Sequence, residues 1–185
     1  YVTYLNPPEL TKAISRKDHT NQFKIRSGGN VSDVVTVGSI NNGVVSWRDL
    51  FGSTTDYTTC YDPAEISHFS SRGPTKAGVN KPDIYAEGAW IKVAASKDVM
   101  IQVNDPRRRK TLLRDEYFVM EEGTSFSAPR VAGAIALMVA NDSDASLRHD
   151  RIKYILEQTA KRRGKGVGSY LCLDLKKALE MSTRY

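Results

Sequence analysis

Between Val131 and Ala140 the chain reads Val-Ala-Gly-Ala-Ile-Ala-Leu-Met-Val-Ala, apolar at every position. A helix of that composition has no face to give to water and is expected to be buried on all sides. The run is also too short to cross a bilayer as a helix. Pro129 lies near the expected start of this helix, where its missing N–H costs little, and Asn141-Asp142-Ser143 is expected to end it. Short runs rich in β-branched and aromatic residues predict strands at Val34–Val37, Val44–Trp47, Ile84–Ala86, Ile91–Ala94, Met100–Val103 and Tyr117–Met120. Helices are expected from Thr124 to Asn141, from Leu147 to Thr159 and from Asp174 to Met181. Buried strands with covering helices argue an α/β layered domain. The Met100–Val103 and Tyr117–Met120 strands are expected to pair as a hairpin, which brings Ser125 out at a strand-to-helix junction.

Composition narrows the picture only slightly. The chain has 185 residues, 40% of them hydrophobic, enough for one domain with a real core, and Ser32 to Tyr185 is expected to behave as one unit. Residues 1–31, with a proline pair at Pro7-Pro8 and a charged, polar stretch up to Gly29, read as a connecting segment. No internal repeat and no low-complexity tract interrupts the chain. The net charge of +6 and a pI near 9.3 rest partly on two basic runs. Arg107-Arg108-Arg109-Lys110 reads as a solvated loop tip, with an acidic substrate, a pro-segment or nucleic acid as the alternative occupant. No aromatic side chains interleave it as base-stacking platforms would. Lys161-Arg162-Arg163-Gly164-Lys165 is expected to cap the preceding helix, cations complementing the dipole and Gly164 taking a left-handed turn. Cys60 and Cys172 differ so much in context that they read as free thiols, Cys172 in the core, and they do not fix the compartment. Asp56, Asp62 and Glu65 are hard oxygen ligands that suit calcium, although a solvated acidic loop is the simpler reading.

The chemistry concentrates in Gly123-Thr124-Ser125-Phe126-Ser127-Ala128-Pro129, followed by Arg130-Val131-Ala132-Gly133. A serine at the mouth of a helix can attack a carbonyl while the unpaired amides of the first turn stabilise the oxyanion that forms. Taken as a lone Gly-Thr-Ser tripeptide, Thr124 or Ser125 reads more simply as a helix cap. The longer string resembles the nucleophile motif of the subtilisin-like serine proteases and shifts the weight to Ser125 as nucleophile. Further segments resemble that family in the expected order. Asp33-Val34-Val35-Thr36-Val37-Gly38-Ser39 is similar to its buried strand leading to a Gly turn, and Phe69-Ser70-Ser71-Arg72-Gly73-Pro74-Thr75 to its Ser-Arg-Gly-Pro loop. Lys81-Pro82-Asp83-Ile84-Tyr85-Ala86 resembles the next strand, and Gly166-Val167-Gly168 ahead of Leu173-Asp174-Leu175 the closing segment. The resemblance covers roughly Ser32 to Ala178. Two positions depart from it: Glu87 stands where the family usually has proline, and Arg130 where it usually has histidine.

The resemblance implies an α/β, subtilisin-like three-layer fold with a mostly parallel sheet, of which only the serine-bearing C-terminal portion is present. It also implies serine endopeptidase activity with Ser125 as nucleophile and the Ser125 backbone N–H in the oxyanion hole. The family's Asp, His and oxyanion Asn motifs have no counterpart here. Among the histidines, His19 reads as a surface residue, His68 as a structural histidine and His149 as a solvated one. The expected partners are therefore a peptide or protein substrate and a complementary N-terminal segment or chain that supplies the missing groups. Alone, the chain is expected to be inactive, since a serine hydroxyl needs a base to take its proton. No organic cofactor, membrane contact or zinc site is implied. Subtilases often bind calcium, but no calcium motif matches, and the family leans towards secreted proteins. The competing readings are an inactive subtilase-like interaction module and, more remotely, a basic nucleic-acid-binding protein.

Overall fold

The computed structural model describes residue 29 and residues 33–43, 46–49, 51–56, 65–75, 78–96, 117–142, 147–164 and 169–183. The strands are β1 (Val37–Asn41), β2 (Ser46–Arg48), β3 (Thr54–Asp56), β4 (Ile84–Ala89), β5 (Ile91–Ala94), β6 (Phe118–Glu121), β7 (Lys161–Arg163) and β8 (Tyr170–Cys172). The helices are α1 (Thr124–Ala140), α2 (His149–Thr159) and α3 (Leu175–Ser182). The central sheet has the order β1-β4-β8-β7. Its β1–β4 and β4–β8 pairs are parallel and β7–β8 is antiparallel, so the fold is the mostly parallel α/β arrangement expected. Residues buried under helices on one face include Ile84 and Ala86 of β4, Val131 and Met138 of α1, Ile152, Ile155 and Leu156 of α2, and Ala178 of α3. Ile40, Tyr85 and Cys172 form a separate cluster with Ile66 and Tyr170. Cys172 is free and buried, as expected, and burial raises its thiol pKa.

Several local expectations are corrected. The first strand starts at Val37 rather than Val34, because Thr36 donates its N–H to the Asp83 carboxylate at 2.7 Å and gives its carbonyl to the Asp83 amide at 2.9 Å. Gly38 does not turn the chain. It lies inside β1 opposite Tyr85, where a Cβ would collide with the Tyr85 ring. β6 pairs with β5, from Ile91↔Glu121 to Ala94↔Phe118, so the strand entering α1 is partnered by the segment after β4. Residues Met100–Val103, its expected partner, lie outside the described residues, as do Arg107–Lys110. The second basic run does not cap α2: no basic residue occupies its last turn, and the chain leaves through an extended Ala160 directly into β7. Gly164 takes the expected left-handed φ of 74°, but at the end of β7.

The largest correction concerns α1. Its buried positions are Ser127, Val131, Ala134 and Met138. Ala132, Gly133, Ala136, Leu137, Val139 and Ala140 are exposed, Leu137 and Val139 each at 48%. From Val131 on the helix is apolar all round, yet only one side of it is covered by the described residues.

Candidate active site

The end of β4 and the start of α1 meet around Gly88. The Gly123 amide donates to the Gly88 carbonyl at 2.8 Å. A Cβ on Gly88 would overlap Ser127 Oγ and come within 2.7 Å of both the Gly123 carbonyl and Ser39 Oγ. Only glycine lets the strand and the helix start approach this closely. Ser39 belongs to β1, and its hydroxyl shares a 2.9 Å hydrogen bond with Ser67 while its amide donates to Ser70 Oγ, also at 2.9 Å. The Ser-Arg-Gly-Pro loop is thereby fastened behind the helix start by small buried hydroxyls. Ser127 Oγ is itself buried with no hydrogen-bond partner among the described residues.

Gly123 is the residue preceding α1, with φ 155°, and no side chain caps the helix. The capping reading of Thr124 and Ser125 is thus excluded: both lie inside the first turn, and Ser125 is exposed. The amides of Thr124 and Ser125 precede the helical ladder, at the positive end of the dipole, with no acidic residue in the first turn to occupy it. Pro129 sits where the expected helix start puts it, but its missing N–H is not without cost. Six residues in, its missing N–H removes the donor that would have bonded the Ser125 carbonyl. The arrangement presents a hydroxyl beside unpartnered amides, a geometry suited to an alcohol nucleophile and its oxyanion.

Nothing described completes the constellation. Among the described residues the Ser125 hydroxyl has no hydrogen-bond partner. His68 lies edge-on to Phe69, ring centroids 5.2 Å apart, and desolvation lowers its pKa. His149 is the exposed first residue of α2. His19, Cys60 and Asp62 lie outside the described residues. Among the described residues no cluster of three or more His, Cys, Asp or Glu stands together as metal ligands, and no helix is long and apolar enough to cross a membrane.

Two charged arrangements were not read from the sequence, one at the start of β4 and one next to Gly88 at its end. Asp83 accepts from Lys81 Nζ at 2.6 Å and lies 2.9 Å from Lys153 Nζ, with the Lys81 and Asp83 side chains 1% and 8% exposed. Burial pushes the Asp83 carboxyl up, but Lys81, the Thr36 amide and Lys153 outweigh it and hold the pKa below the usual value. Arg130 of α1 reaches Glu87 of β4 at 2.7 Å. The signal for the second pair was present as two separate departures from the family strings, without anything to show that they meet.

A family model described as the subtilase family matches residues 6–172. The match takes in most of the segment before Ser32. Serine protease AprX of Bacillus subtilis (strain 168) is 32% identical over 133 residues, which is 72% of this chain and 26% of AprX. Uncharacterized protein aq_aa18 of Aquifex aeolicus (strain VF5) is 31% identical over 123 residues, 66% of this chain and 49% of that protein. Subtilisin-like protease SBT3.2 of Arabidopsis thaliana is 41% identical over 76 residues, 40% of this chain and 9% of its own length. The matched part of this chain thus corresponds to about half or less of each of these relatives.

Proposed function

The chain belongs to the subtilase family, and on that premise we propose that it is the serine-bearing C-terminal part of an endopeptidase. Ser125 Oγ attacks the scissile carbonyl carbon and gives up its proton to a histidine carried by polypeptide outside residues 1–185. The oxyanion forms against the Ser125 N–H and the start of α1, joined by an asparagine from the same external polypeptide. The tetrahedral adduct collapses as the histidine returns the proton to the leaving amine, and water then hydrolyses the acyl-enzyme. The substrate is a peptide or protein, and residues 32–185 act as one catalytic subregion.

The observation that carries this reading is the exposed, uncapped placement of Ser125 in the first turn of α1. The name of AprX as a serine protease supports the reaction class. The open side of α1 supports a complementary segment: at 100° per residue, Ser125, Pro129, Ala132, Ala136 and Ala140 share one face, so polypeptide covering that side also reaches the hydroxyl. The test is a fluorophosphonate probe applied to the protein purified from its own cells with any associated polypeptide retained. Labelling at residue 125 that disappears in Ser125→Ala is the expected result. A wild-type protein that binds its associated polypeptide and stays unlabelled would establish instead an inactive interaction module, the reading favoured by the lack of a base among the described residues.

A further inference from the structure

We propose that the Glu87–Arg130 ion pair is a positioning device that fixes the start of α1, and with it the Ser125 hydroxyl, against the end of β4. The inference rests on the reading of Ser125 as nucleophile. Helix α1 lacks the usual local means of holding its first turns. It has no capping side chain, no acidic residue in the first turn, and a proline that deprives the Ser125 carbonyl of its helical donor. What holds the helix start is therefore the strand beside it. Three links join them: the Gly123 amide on the Gly88 carbonyl at 2.8 Å, Ser127 packed on the bare Cα of Gly88, and Arg130 Nη1 on Glu87 Oε2 at 2.7 Å.

The third link spans the break. Arg130 is the first residue after Pro129 and Glu87 the residue before Gly88, so the ion pair extends the Gly88 contact past the point where the helical ladder is interrupted. Arg130 is the seventh residue of α1, beyond the first turn where the dipole is felt, so the Glu87 carboxylate answers the guanidinium alone. The two residues are also the two that depart from the family strings. Both departures replace uncharged or weakly charged side chains with full charges of opposite sign that meet across 43 residues of sequence. The pair is about half exposed, 46% for Arg130 and 44% for Glu87. Pairs of that exposure add little to global stability, so its loss reads locally.

The full chain, its Glu87→Gln and Arg130→Met variants and the charge-swapped Glu87→Arg/Arg130→Glu double variant are compared by residue-resolved hydrogen exchange and thermal unfolding. Each single change is expected to speed exchange of the Ser127, Ala128 and Arg130 amides about two- to five-fold, with the swap restoring it. The unfolding midpoint should move by no more than about 2 °C. Salt near 1 M should erase the difference between wild type and single variants. Unchanged exchange in the single variants, or no restoration by the swap, overturns the proposal. In the native assembly, fluorophosphonate labelling of Ser125 should slow by the same factor in each single variant and recover in the swap. Labelling that proceeds at the wild-type rate in both single variants overturns the positioning role while leaving the nucleophile reading intact. Absent labelling of the wild-type assembly defeats the nucleophile reading, and the positioning role falls with it.

Discussion

At Gly88 a single hydrogen atom separates β4 from α1. Gly88→Ala forces Ser127, the Gly123 carbonyl or Ser39 to move, an overpacking of the kind that costs about 1–3 kcal/mol. The expected outcome is a lower urea midpoint with an unchanged slope, and a midpoint equal to wild type would show that the close approach is not needed. Asp83 makes a separate prediction. Its carboxylate is stabilised in the folded state, so its contribution is present above the ordinary carboxylate pKa of about 4. That contribution is lost as pH falls through the lower folded value. Asp83→Asn leaves Lys81 buried without its counter-charge and should cost about 3–5 kcal/mol at pH 7. Urea titrations between pH 7 and pH 2.5 should show the gap between variant and wild type narrowing below about pH 4. A gap that stays constant would remove Asp83 from the acid response. The position of Ser125 in the first turn of α1 was legible because a glycine before the helix and a proline within it stand in one short string. Glu87 and Arg130 were not legible as a pair, since an ion pair between residues 43 apart depends on how a strand and a helix pack.

Helix α1 was legible as a helix and misjudged as to its surroundings. Composition shows that Val131–Ala140 tolerates burial on every side, but what covers each side is settled by neighbours, and the described neighbours cover one. Met138→Ala on the covered side should cost about 2–5 kcal/mol. Leu137→Gln, one residue away on the open side, should change stability by less than about 0.5 kcal/mol. Denaturant unfolding of the two variants checks this, and similar losses in both would mean that Leu137 is packed in solution. The strand errors have the same origin. The β-branched run at Val34–Val37 says that a strand is near, yet its first residues are recruited by Asp83, 47 residues away at Thr36. The entry to α1 through Tyr117–Met120 was read almost to the residue, whereas its pairing with β5 is a long-range choice that local pattern does not encode.

For the whole molecule, an apolar helix side left open predicts association. The chain purified alone should sediment with a concentration-dependent mass or bind a hydrophobic dye, and Leu137→Lys should reduce both while preserving the fold. A monodisperse, dye-silent wild-type chain would show that this side is covered within residues 1–185. The parallel sheet, the helical layer on it and the family were all legible because several short motifs occur in one order. The proposed external base rests only on a gap in that order.

Among the described residues, strand β7 is an outer strand of the central sheet and carries Lys161, Arg162 and Arg163 on exposed positions. Two copies brought together along that border would set six cations against each other before any main-chain bond could form. Ribbon-like stacking of one sheet onto the next is thereby discouraged in dilute buffer, and the protection fades as mobile ions accumulate.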